Sequence, residues 1–344
     1  MGSRTAAVSF GVGAVGAGLA ARARHRSRHR PHDTTDPLAR LRTPELRPPE
    51  VAPERVTVTT PDGTRLAVEL HGPADGPIVV LAHGWTCSTK YWWPQVHAFA
   101  DTCRLVAYDQ RGHGASEPGH GRLTSDTLAD DLSAVLAATV PEGRTAVLVG
   151  HSMGAMSIVA WAGRHPEEVP RYASAALLAS TALDGLLAES MLVRLPGVGP
   201  RGMAAFGRAL VTAPTPVVAP SRATHALVRY VALSEQATDE QVEFCERIVL
   251  DCPPRARARW GSALSRLDIR ASLEALAVPT TVLVGSADRL TPAGHARRMV
   301  ADLGRGGSLE HVVELPGVGH MSSVEAPEAF DAEVRHLLGL AAAR

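Results

Sequence analysis

Apolar residues in this chain cluster into short runs of strand length, separated by longer stretches with helical spacing. Starting at Arg55, RVTVTT and TRLAVEL flank Pro61-Asp62-Gly63, and two such runs around a Pro-Asp-Gly turn predict an antiparallel hairpin. Six further runs come after it: PIVVLAHG (77–84), CRLVAYDQ (103–110), TAVLVGHS (145–152), SAALLAS (174–180), TTVLVGSAD (280–288) and LEHVVELPG (309–317). Each is rich in leucine or β-branched residues and lacks strict alternation, the pattern of strands covered on both faces of a parallel sheet. Residues 92–100, 125–140, 153–164, 292–303 and 327–340 lie between or after these runs and read as helices. Strand and helix in repetition predict an α/β fold: a doubly wound, mostly parallel sheet with an antiparallel start.

The alternation breaks once. From Leu183 to Arg270 no strand run appears, only Ala/Leu/Arg-rich sequence with loops such as LPGVGP and TAPTPVVAP. Within it Thr238-Asp239-Glu240-Gln241 has capping-box form ahead of Val242, Cys245, Ile248 and Val249 at helical spacing. The expected organisation is therefore a core formed by 51–182 and 271–344, with a helical insert at 183–270. Residues 1–50 form a separate leader: an apolar, Gly-rich stretch (Ala6–Ala21), then RARHRSRHR (Arg22–Arg30), then Pro-rich sequence. The apolar stretch is shorter than the roughly 20 residues a membrane-spanning helix needs, and its charges follow it rather than precede it. That order keeps the body in the cytoplasm and suits either a flexible tail or a peripheral membrane anchor with affinity for anionic lipid.

Composition narrows the function classes. With 344 residues, 45% of them apolar, the chain can bury a full core, and a formal charge of zero gives no global field that would favour nucleic acid. Lys90 is the only lysine, so nearly all positive charge is arginine, which carries no mechanistic information. Cys87, Cys103, Cys245 and Cys252 have neither metal-ligand spacing nor a disulfide framework and read as buried thiols in a reducing compartment. Cys245 and Cys252, seven residues apart, are too far separated along a helix face to form a disulfide.

The chemistry-bearing residues stand at strand ends. Gly150-His151-Ser152-Met153-Gly154 is a weak signal as a bare pattern, but the strand AVLV runs directly into it and helical AMSIVAWAGRH comes next. That strand-turn-helix places a serine in a strained turn, with glycines where side chains would collide with the adjacent strand and helix. The bland alternative is a serine capping an ordinary helix. Met153 N–H lies at the helix N-terminus, where free amides favour a developing oxyanion. His83-Gly84-Trp85 ends an earlier strand, and a loop there can aim the Trp85 amide at the same oxyanion, although His-Gly at a strand end is often only a turn. Asp288 and His320 each come after a strand, so the chain order is Ser152, Asp288, His320.

Together the strings HGW, YDQRGHGAS (Tyr108–Ser116), GHSMGA, VPTTVLVGSADRLTP and GVGHMSSVEAPEAF resemble the α/β-hydrolase fold family, from about Arg55 to the C-terminus. The resemblance implies Ser152 as nucleophile, His320 as base and Asp288 as the acid that orients it. It also implies an oxyanion hole from the Trp85 and Met153 amides and a lid or cap at 183–270, with neither cofactor nor metal required. Asp184 is the alternative acid used in some branches of the family. Ala155 stands where many relatives have glycine. His151 and His113 read as structural. The implied reaction is cleavage of a carboxylic ester, a small-molecule substrate, through an acyl-enzyme. An insert rich in Leu, Ala, Val and Met, with Met191, Met203 and Phe206 among its larger residues, favours an apolar acyl or alcohol group. Rival readings are a cofactor-free haloperoxidase or perhydrolase, a carbon-carbon bond hydrolase, and a non-catalytic ligand binder of the same fold. Serine at the elbow argues against epoxide hydrolases and haloalkane dehalogenases, which carry aspartate there.

Overall fold

The computed structural model describes residues 36–190 and 220–343. The leader's apolar and Arg-rich stretches, the two insert loops, and Met191, Met203 and Phe206 lie outside the described residues.

Eight strands build the sheet: β1 (Glu54–Thr59), β2 (Arg65–His71), β3 (Ile78–Ala82), β4 (Arg104–Tyr108), β5 (Ala146–His151), β6 (Ala173–Ala179), β7 (Thr280–Gly285) and β8 (Leu309–Leu315). Their order is β1-β2-β4-β3-β5-β6-β7-β8. β2 is antiparallel to both β1 and β4, and every later pairing is parallel. The predicted hairpin turn is closed by Thr60 N–H donating to Thr64 O at 2.9 Å, with Gly63 at φ 83°.

Helices α1 (Trp93–Phe99), α2 (Ser125–Thr139) and α3 (Met153–Arg164) connect the first parallel strands, and α4 (Arg222–Ala232), α5 (Asp239–Asp251) and α6 (Pro254–Leu264) occupy the insert. Two more, α7 (Ala293–Gly306) and α8 (Pro327–Ala342), complete the layers. Period-two alternation sorts the strand side chains between two faces. Val80, Leu148, Leu178 and Val282 join one apolar cluster with Leu132 of α2, Ile158 of α3 and Met299 of α7. Leu81, Val149, Leu177 and Leu283 are equally buried and point to the opposite face, where α8 lies against β5 and β6. Because both faces are covered, β3, β5 and β7 are buried at every position. β8 departs from that expectation: among the described strands it pairs with β7 alone, and as the sheet edge it leaves His311 and Val312 exposed.

The expected capping box is present on α5: Thr238 Oγ1 accepts from Gln241 N–H at 3.2 Å, and Gln241 Oε1 accepts from Thr238 N–H at 2.8 Å. α5 stops at Asp251, so Cys252 lies just beyond the helix, and all four thiols are free and buried.

Residues 40–50 differ from a flexible leader. Leu41 and Leu46 are buried, and Glu240 of α5 accepts from Arg42 N–H (2.8 Å), Thr43 N–H (2.9 Å) and Thr43 Oγ1–H (2.7 Å). Two buried leucines and a carboxylate on backbone amides hold this segment, whose own regular structure among residues 41–50 is the short 3-10 turn Pro44–Leu46. Among the described residues no helix is long and apolar enough to cross a membrane.

Candidate active site

Six strand ends converge on one rim. The register pairs Ala82 with both Tyr108 and Gly150, His151 with Ala179, Ala179 with Leu283, and Gly285 with Leu315, so the segments after β3, β4, β5, β6, β7 and β8 all emerge on the same edge of the sheet.

Ser152 has φ 53° and ψ −115°, a conformation that costs a non-glycine residue about 1–3 kcal/mol. Its backbone is held by neighbours: the N–H donates to Ala179 O at 2.9 Å, and the carbonyl accepts from Thr181 Oγ1–H at 2.9 Å and Met156 N–H at 3.1 Å. Glycine is required beside it, because a Cβ on Gly154 would stand 1.8 Å from Ala82 O. Met153 begins α3, so its amide has no partner in the helix.

His320 and Asp288 meet directly. Asp288 Oδ2 lies 2.8 Å from His320 Nδ1, and both residues are almost fully buried. The carboxylate is saturated on its other sides: Oδ1 accepts from Leu290 N–H (2.8 Å) and Thr291 N–H (2.9 Å), and Oδ2 from Thr291 Oγ1–H (2.7 Å). Thr291 was not singled out by sequence reasoning, although a Thr three residues after an Asp is a recognisable side-chain turn. An ionised carboxylate only accepts, so the His320 proton sits on Nδ1 and Nε2 presents a lone pair. Asp184 is elsewhere, paired with Arg298 Nη2 at 3.1 Å.

The loop carrying His320 is itself clamped. His320 N–H and Met321 N–H both donate to Ala232 O (3.0 and 3.2 Å), while half-buried Glu325 accepts from Ser234, Gly319 and Met321 amides. Burial pushes the Glu325 carboxyl up from its ordinary value, against the pull of these amides. Ala232 and Ser234 lie in the insert, which therefore buttresses the histidine loop.

The Gly84–Trp85–Thr86 turn is fixed from beneath by two histidines. His83 Nε2 accepts from Gln110 N–H (3.0 Å) and His113 Nε2 from Thr86 N–H (3.1 Å). Burial drives both rings toward the neutral form, His83 well below its ordinary value and His113 to about 4. Trp85 Nε1–H reaches across to Arg257 O of α6 at 3.1 Å. Asp109, whose carboxyl burial raises to about 6, accepts from Thr89 and Ala115 amides and ties this turn to the next loop. That loop is anchored by Arg111, bidentate on buried Asp131 of α2 (2.6 and 3.0 Å), while Trp260 of α6 donates to Arg111 O at 2.7 Å.

Among the described residues, three groups of histidine and carboxylate elsewhere place donor atoms within 4.8 Å of one another, and none includes Ser152, Asp288 or His320. At one of them, Asp184, Glu189 and His295, the Arg298 guanidinium already occupies the position of a cation.

A sequence profile described as alpha/beta hydrolase fold matches residues 77–327, and the chain belongs to that family of enzymes. Among its relatives is 3-oxoadipate enol-lactonase 1 of Acinetobacter baylyi, 25% identical over 283 residues, 80% of this chain and 93% of that protein. A non-heme chloroperoxidase of Burkholderia pyrrocinia is 28% identical over 267 residues, 76% of this chain and 92% of that one. In structure, a thermophilic esterase from Thermogutta terrifontis superposes with TM-score 0.66 at 26% identity, covering 84% of this chain and 99% of its own.

Proposed function

We propose that the protein is a serine hydrolase that cleaves carboxylic esters bearing an apolar acyl or alcohol group. The observation that carries this reading is the buried Asp288–His320 hydrogen bond, on the same rim as the strained turn of Ser152. His320 Nε2 takes the Ser152 proton as Oγ attacks the ester carbonyl. The amides of Met153 and Trp85 hold the oxyanion. Collapse of the tetrahedral intermediate expels the alcohol with the proton from His320 and leaves an acyl-Ser152. Water, deprotonated by the same histidine, then releases the acid. The insert serves as the cap, a role supported in its described part by Ala232 O and Arg257 O, which accept from the His320 loop and from Trp85, and by Ser234 N–H, which donates to Glu325. A lipid-like or medium-chain ester fits the apolar composition of that insert.

Likeness to a chloroperoxidase favours one second reading, a perhydrolase using the same triad with peroxide in place of water.

The test is covalent labelling by a fluorophosphonate together with a p-nitrophenyl ester chain-length series. Ser152→Ala is expected to abolish labelling and nearly all ester turnover with the fold intact. Normal turnover in that variant removes Ser152 from the mechanism. Peroxide-dependent formation of peracid faster than ester hydrolysis favours the second reading.

A further inference from the structure

His151 lies inside the elbow, between Gly150 and Ser152, and neither the acid–base pair nor the oxyanion amides use it. Its ring nonetheless lies between the His320 loop and the Gly84 turn. Nε2 stands 2.9 Å from the main-chain oxygen of His320, and the two imidazole centroids are 4.9 Å apart. On its other side the ring stacks on Tyr91 at 4.5 Å and 26°. A Cβ on Gly84, in the proposed oxyanion turn, would lie 2.7 Å from His151 Nδ1 and 3.3 Å from Ser152 Cβ. The side chain is 1% exposed, and Nδ1 is buried without a hydrogen-bond partner.

We infer that His151 is a positioning residue: a neutral imidazole whose Nε2–H holds the His320 carbonyl, fixing the base loop against the elbow and the oxyanion turn. This rests on the serine-hydrolase reading above. The chemistry points one way. The His320 carbonyl can only accept, so the His151 proton is on Nε2 and the partnerless nitrogen is the bare one. Burial and the neighbouring His320 hold His151 well below its ordinary pKa, so it stays uncharged while His320 becomes an imidazolium during turnover. A second positive ring at 4.9 Å would oppose that step. A buried polar nitrogen left without a partner costs stability, and an apolar ring would fill the same slot beside Tyr91 more cheaply. What an apolar ring lacks is the donor to His320.

Two substitutions separate that donor from simple packing. His151→Phe keeps the ring stack on Tyr91 and removes the donor; His151→Gln retains an N–H at comparable reach. Loss of the donor lets the His320 loop shift, and small misplacements of catalytic groups cost on the order of 10²-fold. The Phe variant is therefore expected to lose about that factor in kcat, with KM nearly unchanged. Its acid limb of kcat/KM should move to lower pH, because a loosened contact with Asp288 supports the imidazolium less. The Gln variant should recover most of kcat and the wild-type acid limb.

Equal kcat in wild type and a folded Phe variant overturns the inference. So do losses in both variants that track melting temperature alone. A Phe variant that does not fold leaves the decision to the Gln variant and to nitrogen-15 histidine spectra of the wild-type chain. Those spectra should show His151 neutral and protonated on Nε2 at the pH of the assay; the opposite tautomer or a charged His151 there overturns the inference. Fluorophosphonate labelling of wild-type Ser152 keeps the two claims apart. A labelled wild type with equally fast labelling of the Phe variant rejects the role of His151 alone, whereas an unlabelled wild type rejects the hydrolase reading.

Discussion

Replacing Asp288 by asparagine preserves its volume and removes one charge, and the surrounding hydrogen bonds decide which way the new side chain must face. Oδ1 accepts two backbone amides, from Leu290 and Thr291, so in the variant the amide oxygen must stay there. The NH2 group is forced into the place of Oδ2, facing Thr291 Oγ1 and His320 Nδ1. The Thr291 hydroxyl can rotate and accept. His320 Nδ1 must also accept, which drives its proton to Nε2 and leaves no lone pair toward Ser152. A base trapped in the wrong tautomer loses on the order of 10⁴ in kcat, or about 5 kcal/mol of transition-state stabilisation. Asp184→Asn weakens only a partly exposed pair with Arg298, worth about 1 kcal/mol of stability or less, and kcat should barely change. The assay is hydrolysis of one short-chain p-nitrophenyl ester at one pH, with melting temperature recorded for each variant. A folded Asp288→Asn enzyme within about tenfold of wild type, against the 10⁴ expected of a tautomer error, or the opposite ranking of the two, refutes the reasoning.

Packing and charge yield further expected outcomes. Arg111→Met leaves Asp131 buried without its bidentate partner and should destabilise by about 3–5 kcal/mol, read as a lower urea midpoint at unchanged slope. Asp331 is buried and its carboxyl is raised to about 6, chiefly by desolvation, so the folded state binds its proton more tightly than the unfolded chain. Its contribution to stability is complete below about pH 4 and lost as pH rises through about 6; Asp331→Asn should flatten that slope in a series of melting curves, and an unchanged slope rejects the assignment. A chain starting at residue 50 loses Leu41, Leu46 and the Thr43–Glu240 bonds and should melt below one starting at residue 40; equal melting temperatures would show that residues 40–49 add nothing.

Much was legible in the sequence because the signals were local. Short β-branched runs marked the buried strands, and all eight formed with ends within a few residues of those expected. α3 begins and ends where its composition placed it, directly after the glycine-flanked serine. Chain order sufficed to rank Asp288 above Asp184, and the structure brings the first, not the second, to His320.

The remainder depended on contacts between residues far apart in the chain, which no local pattern encodes. Nothing near Thr43 announces that Glu240, 197 positions later, will accept its amide, so residues 40–50 read as part of the leader. The same holds for β8, whose apolar run resembles an interior strand until the sheet order makes it an edge. It holds most of all for His151. The sequence determined that a histidine precedes the elbow serine; only the folding of the loop after β8 onto that elbow decided that its Nε2 meets the His320 carbonyl across 169 positions. Burial and hydrogen-bond partners set what an imidazole does, and both are properties of the assembled rim.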